Sequence, residues 1–218
     1  RAEFEENFSK LESAGIERDD LYLAWDFTVA SDRNNYHRAL AMRDQAFADL
    51  GDTDLSDLVP EGGAPSFQVL SVEENPNPRQ IARRVKGTFQ VPCYLFPTCG
   101  PFGTMQLGSD GLPIRNPVPW TANFDCIVPV SVASGPPAAG RPVLYGHGLF
   151  GRAAEVASGP QRELAQNHRM VKCATDEIGM SETDVPVAIS ALQDLSRFPA
   201  IPDRLQQGLL DELYLGRL

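Results

Sequence analysis

An extended apolar run, Val143-Leu144-Tyr145, ends directly in Gly146-His147-Gly148-Leu149-Phe150-Gly151, where three glycines bracket a histidine. The spacing predicts a buried strand that feeds a tight loop. Because glycine has no Cβ, the backbone of such a loop can approach another atom closely. Main-chain N–H groups fixed in this way are what acyl-transfer chemistry needs opposite a developing negative charge. A second apolar run, Met170-Val-Lys-Cys-Ala-Thr-Asp176, is followed by Glu177-Ile-Gly179-Met-Ser181, with Asp, Gly and Ser at turn-forming places. Residues 153–167 between the two runs read as a crossover helix, with Val156, Leu164 and Ala165 facing the sheet. Pro160 gives that helix a kink or a late start. Strand, helix and strand within about 30 residues is the βαβ unit that parallel pairing requires.

Upstream, residues 1–15 predict an amphipathic helix, with Phe4, Phe8 and Leu11 at helical spacing and Gly15 as its stop. Residues 21–30, rich in Leu, Tyr, Trp, Phe, Thr and Val, predict a strand leading to Ser31 or Asp32 as the cap of a helix over 33–50. Residues 67–72 and 81–91 predict two strands separated by the turn Asn75-Pro-Asn-Pro78. Arg79, Arg83, Arg84 and Lys86 on the second are expected as outward or edge charges. A small hairpin is expected over 105–114, and another strand over 123–132. The last 34 residues carry two helical stripes, Ile189/Leu192/Leu195 and Leu205/Leu209/Leu213, broken at Pro199 and Pro202. Arg197, Asp203 and Arg204 are expected on a solvated or salt-bridged face.

Taken together, the strings LYLAWDFTVAS (residues 21–31), GTFQVP (87–92), YGHGLFG (145–151) and LQDLSRF (192–198) resemble a group of long, exported bacterial α/β-hydrolase-like proteins of esterase or lipase type. The resemblance covers most of the chain. It implies an α/β fold in which residues 66–218 form the N-terminal part of an α/β-hydrolase sheet, antiparallel first strands and then parallel βαβ, preceded by an α+β extension over 1–65. It further implies that the Leu149 N–H faces the oxyanion, that His147 and Gly148 shape the loop, and that Asp176, Gly179 and Ser181 build a structural turn. Glu177 departs from the family pattern, which has an aromatic residue there.

The family's nucleophilic serine lies in a GxSxG elbow after the fifth strand, with acid and histidine later still. Neither Gly108-Ser109-Asp110-Gly111 nor Gly179-Met180-Ser181-Glu182-Thr183 fits that elbow. The sequence therefore reads as a segment of a longer polypeptide, inactive alone, acting on a small ester substrate once a C-terminal portion supplies serine, acid and histidine. In the family's strand order the run from Pro142 to Gly146 would be an exposed edge. That edge predicts association with the C-terminal half as a second chain, or self-association. The alternative function class is a noncatalytic binding or scaffold protein that keeps the framework.

Composition narrows the partners. The formal net charge of −10 over 218 residues argues against phosphate-mediated nucleic-acid binding, since Arg83, Arg84 and Lys86 are the only basic cluster. No run approaches the roughly 18 apolar residues that span a bilayer. The four cysteines, Cys93, Cys99, Cys126 and Cys173, allow three pairings. Cys93 and Cys99 bracket a short loop and are the candidate disulfide, whereas Cys126 and Cys173 sit in apolar, strand-like sequence where a buried thiol is ordinary. A secreted or periplasmic location fits a disulfide. No metal or other cofactor is expected: there is no CxxC pair, His37, His147 and His168 lack ligand spacing, and Asp52, Asp54 and Asp57 lack the glycine and glutamate of a calcium loop.

Overall fold

A computed structural model describes residues 2–134 and 140–218, which divide into two compact units, Arg1–Tyr36 and His37–Leu218. In the first unit, α1 (Ala2–Ser13) stops where Gly15 takes a positive φ of 81° and its N–H bonds Glu12 O at 2.9 Å. A 3-10 turn at Arg18–Asp20 returns Arg18 to α1, where its guanidinium lies 3.9 Å from the Phe8 ring centre and 3.1 Å from Glu5 Oε2. Residues 21–30 form no strand. Their alternation is real: Leu23, Trp25, Phe27 and Val29 share one parity, and all are exposed. What is missing among the described residues is a ladder partner, and alternation makes a strand only beside one.

Helix α2 (Asp32–Asp49) begins as anticipated, with Ser31 Oγ accepting from Asn34 N–H at 3.3 Å. From His37 on it belongs to the larger unit, where Met42, Ala46 and Phe47 are buried. The sheet there comprises β1 (Phe67–Asn77), β2 (Ile81–Val91), β5 (Trp120–Pro129), β6 (Arg141–Leu144) and β7 (Met170–Ala174). A two-stranded ribbon, β3 (Leu95–Phe96) with β4 (Thr104–Met105), stands apart from it. The strand order is β1-β2-β5-β7-β6, with β6 and β7 parallel and every other pair antiparallel. The architecture is therefore a mixed α/β sheet with β7 inserted between β5 and β6.

One face of the sheet packs Phe89, Val91, Ala122 and Phe124 under α2 and α6 (Ala200–Leu215). The other packs Ile81, Ile127 and Ala174 against Ala153, Val156 and Ala165. Fully burying the phenylalanine, valine and isoleucine side chains among them stabilises by about 1.5–3 kcal/mol each before entropy is counted. The crossover starts late, as Pro160 required: a 3-10 turn at Ala153–Ala157 precedes α4 (Gly159–His168). A short α3 (Val130–Ala133) follows β5, and α5 (Val185–Gln193) precedes α6. No helix among the described residues is long and apolar enough to cross a membrane.

Three expectations need correction. The tract Asn75-Pro-Asn-Pro78 is not wholly turn, because β1 runs on to Asn77 through a register shift, with Asn75 at φ 51°. Arg84 is not a solvated edge charge, since it grips Asp125 with Nε–Oδ1 at 2.8 Å and Nη2–Oδ2 at 2.6 Å. Cys126 and Cys173 are not thiols: they face each other across β5 and β7 and are joined, and Cys93 and Cys99 are also joined. The strand pairing, invisible in a linear reading, is what brings Cys126 to Cys173.

Candidate functional site

The loop that leaves β6 is held by main-chain bonds on both sides. Gly151 N–H turns back to Gly148 O at 2.9 Å, Phe150 N–H reaches Met180 O at 2.5 Å, and Glu182 N–H reaches Gly151 O at 2.9 Å. Gly151 and Ser181 thereby form an isolated parallel bridge. A Cβ on Gly151 would stand 2.9 Å from Gly148 O, so the turn has no room for a larger residue. Phe150 adopts φ 60°, a conformation that a non-glycine residue holds only where its surroundings over-determine it. Between these anchors Leu149 is 72% exposed, and its N–H has no main-chain partner among the described residues.

His147 is buried, and both ring nitrogens are used. Nε2 accepts from Glu177 N–H at 3.1 Å and Nδ1 lies 2.8 Å from Gly148 O, a pair of contacts satisfied by the neutral ring with its proton on Nδ1. The ring thus ties the loop after β6 to the turn after β7. A histidine committed at both nitrogens has no lone pair for proton abstraction.

Asp176 is a knot rather than a free acid. Its Oδ2 accepts from Asn123 Nδ2 at 3.0 Å and its Oδ1 from Ala153 N–H at 2.6 Å, while its own N–H goes to Asn123 Oδ1 at 3.1 Å. It joins β5, β7 and the crossover. Gly179 sits at φ 98°, and a Cβ there would stand 2.3 Å from Leu205 N, so this turn lies directly on α6. Ser181 is fully buried, with Oγ 2.8 Å from Asp184 Oδ2 and 2.7 Å from Thr183 Oγ1.

Sequence reasoning missed the groups that fix this turn. Asp184 Oδ2 accepts from Gly179 N–H at 2.7 Å and Ser181 N–H at 3.1 Å, and Asp184 Oδ1 accepts from Arg204 Nε at 2.6 Å. Arg204, expected on a solvated or salt-bridged face, is salt-bridged but 1% exposed, and it also donates to Cys99 O at 2.9 Å and to Gly100 O. The Cys93–Cys99 bridge therefore borders the same network, with Cα atoms 5.9 Å apart. The Ser181-x-x-Asp184 spacing of a capping box was the available signal for Asp184; no local pattern marks Arg204.

Acidic groups gather nearby. Burial pushes Glu177 upward, raises Glu212 to about 7 with the Glu177 charge contributing, and raises fully buried Asp211 to about 8. Among the described residues no group of three or more His, Cys, Asp or Glu is arranged to hold a metal ion. The site offers main-chain donors and neutral or raised acids, but no serine, acid and base in sequence.

No family model matches the chain, and no curated protein does. Crystal structures of the rice cell wall degrading esterase LipA from Xanthomonas oryzae are similar to part of it. A ligand-bound form aligns at 16% identity and another form at 17%, each with a TM-score of 0.26. Each alignment covers 69% of this chain but 38% of the esterase, so the chain spans well under half the length of the structures it matches.

Proposed function

We propose that this chain is the N-terminal portion of an exported serine esterase-like or lipase-like hydrolase, to which it contributes the oxyanion loop and the first half of an α/β-hydrolase sheet. The observation that carries the reading is exposed Leu149 beyond the end of β6, whose N–H has no main-chain partner among the described residues, in a loop held by His147, Met180 and Glu182. A donor held before the reaction spends nothing on reorganisation when charge develops, and one such donor contributes about 3–4 kcal/mol to acyl transfer. Gly148 shapes the loop through its carbonyl, which accepts from Gly151 N–H, and Asp176, Gly179 and Ser181 hold the turn beneath it.

The strand order supports the same reading. β2, β5, β7 and β6 occur in the spatial order of the first, second, fourth and third strands of that sheet. β6 is then the edge on which a fifth strand, ending in the nucleophile, would be added by the C-terminal half of the polypeptide or by a second chain. The substrate class is a small carboxylic ester, attacked by a serine outside residues 1–218 to give an acyl-enzyme. Two disulfides suit an oxidising compartment.

The test is fluorophosphonate labelling of the protein purified from its native source, with every gel band identified by peptide mass. A labelled band from downstream sequence, lost when Leu149→Pro removes the N–H, supports the reading. Absence of any labelled species favours the noncatalytic scaffold.

A further inference from the structure

Helix α6 runs from the turn after β7 to the end of β6. A Cβ on Gly208 would stand 2.3 Å from Ile178 O, and one on Gly216 would meet Leu144 Cδ1 at 3.3 Å. Glu212, one turn before Gly216, is carried along the carboxyl end of β6. Glu177 reaches the same place from the β7 side, its Oε1 2.8 Å from where a Cβ on Gly146 would stand. Glu212 Oε2 is buried with no hydrogen-bond partner, and no lysine or arginine among the described residues forms an ion pair with either acid. Two other titratable groups lie against them: His147, whose Nε2 is occupied by the Glu177 N–H, and fully buried Asp211, next to Glu212 on α6, whose Oδ1 accepts from Gln207 Nε2 at 3.0 Å.

β6 is an open edge beside this pair. Arg141 N–H bonds Arg169 O and Tyr145 N–H bonds Cys173 O, both at 2.8 Å, so alternation turns the N–H groups of Leu144 and Gly146 outward. Next to Leu144 the sheet face is an uncovered apolar groove of about 560 Å³, lined by Val85, Cys126, Val171, Cys173 and Leu215.

On the reading that β6 receives a strand from another polypeptide, we infer that the incoming strand carries a lysine or arginine where it passes Gly146, seated between Glu177 and Glu212, and turns apolar side chains toward the groove. A strand added at about 4.8 Å from β6 completes the burial of both carboxyl groups. With a neutral side chain at that position, desolvation would force both acids to stay protonated or leave a charge unpaired. A basic side chain satisfies them directly, and its aliphatic stem lies along Leu144.

The test uses the whole 218-residue chain and two fluorescent ten-residue peptides of alternating valine and threonine, identical except for one central arginine or glutamine. Anisotropy at pH 7 is expected to show the arginine peptide binding at least tenfold tighter, with the preference abolished by Glu177→Gln/Glu212→Gln. Leu144→Pro, which removes an outward N–H, should weaken both peptides. Equal binding of the two peptides, lost in the Leu144→Pro chain, leaves strand addition standing and overturns the basic-residue inference. Binding of neither peptide overturns strand addition and the inference with it. Should the double variant not fold, calorimetry of the unmodified chain in two buffers decides: the arginine peptide is expected to release protons on binding, and release no greater than for the glutamine peptide overturns the inference.

Discussion

Replacing Asp184 by alanine removes one carboxylate that accepts from Gly179 N–H, Ser181 N–H, Ser181 Oγ and Arg204 Nε, at 2.6–3.1 Å. The main loss is not the bonds but what they leave behind. Arg204 is 1% exposed, so its guanidinium would remain charged and buried, with only the carbonyls of Cys99 and Gly100 to face. Breaking a buried pair in this way costs about 3–5 kcal/mol. With a urea slope of about 2 kcal/mol/M, the midpoint should fall by roughly 2 M without a change of slope. Removing both partners, Asp184→Ala with Arg204→Met, should cost less than Asp184→Ala alone, because no uncompensated charge remains. Hydrogen exchange adds a local readout: the amides of Phe150 and Glu182, bonded to and within the segment that Asp184 holds, should exchange faster in the single variant. Additive losses in the double variant, or a single-variant loss below about 1 kcal/mol, would refute the argument that the pair is buried and coupled.

The disulfides should differ in weight: a loop-closure estimate gives about 4 kcal/mol for Cys126–Cys173, which spans 47 positions, and about 2 kcal/mol for Cys93–Cys99, which spans 6. Chemical denaturation of the paired Cys→Ala variants checks the order. Burial raises Asp211 to about 8, so the folded state holds a proton that the unfolded chain has released. That contribution is complete below the ordinary carboxylate range and is lost as pH rises through 8, by at most about 1.4 kcal/mol per pH unit. Asp211→Asn should flatten this decline in a series of melts between pH 5 and 8. Gly179→Ala, which combines φ 98° with a Cβ 2.3 Å from Leu205 N, should destabilise by more than about 2 kcal/mol. A normal melt of that variant would show that the turn can lift away from α6.

Where local pattern and tertiary demand agreed, the fold was legible. The runs at 143–145 and 170–174 became neighbouring parallel strands because the crossover between them is of the right length, although β6, at the edge of the sheet, is largely exposed rather than the buried strand its apolar run predicts. Residues 81–91 are a strand with those bounds, since Ile81, Phe89 and Val91 all have apolar layers to enter. Residues 21–30 have the pattern without the partner. Arg204 has the ion pair that its charge allowed, but its burial was not legible, because the partner carboxylate lies 20 positions away and meets it only in the fold. At the site, the glycines around His147 announced a tight loop, and the Asp-Gly-Ser turn announced its neighbour. The hydrogen bonds that join the two link segments about 30 positions apart, and Glu212 comes beside them only through the packing of α6, neither of which short-range spacing encodes.

The insertion of β7 between β5 and β6 imposes an order of assembly on the chain as it is made. β6 leaves the ribosome some thirty residues before β7, yet it pairs with no earlier strand of the sheet: its neighbour in the ladder is β7. Until residue 170 has emerged, β6 is an unpaired apolar segment on a tether, and the hairpin of β1 and β2 with β5 can form without it. Arrival of β7 then closes two contacts at once, to β5 and to β6, and brings Cys173 opposite Cys126. Slow synthesis through residues 145–170 should prolong the exposure of β6 to holding chaperones, whereas oxidation after β7 has docked locks the inserted strand in register.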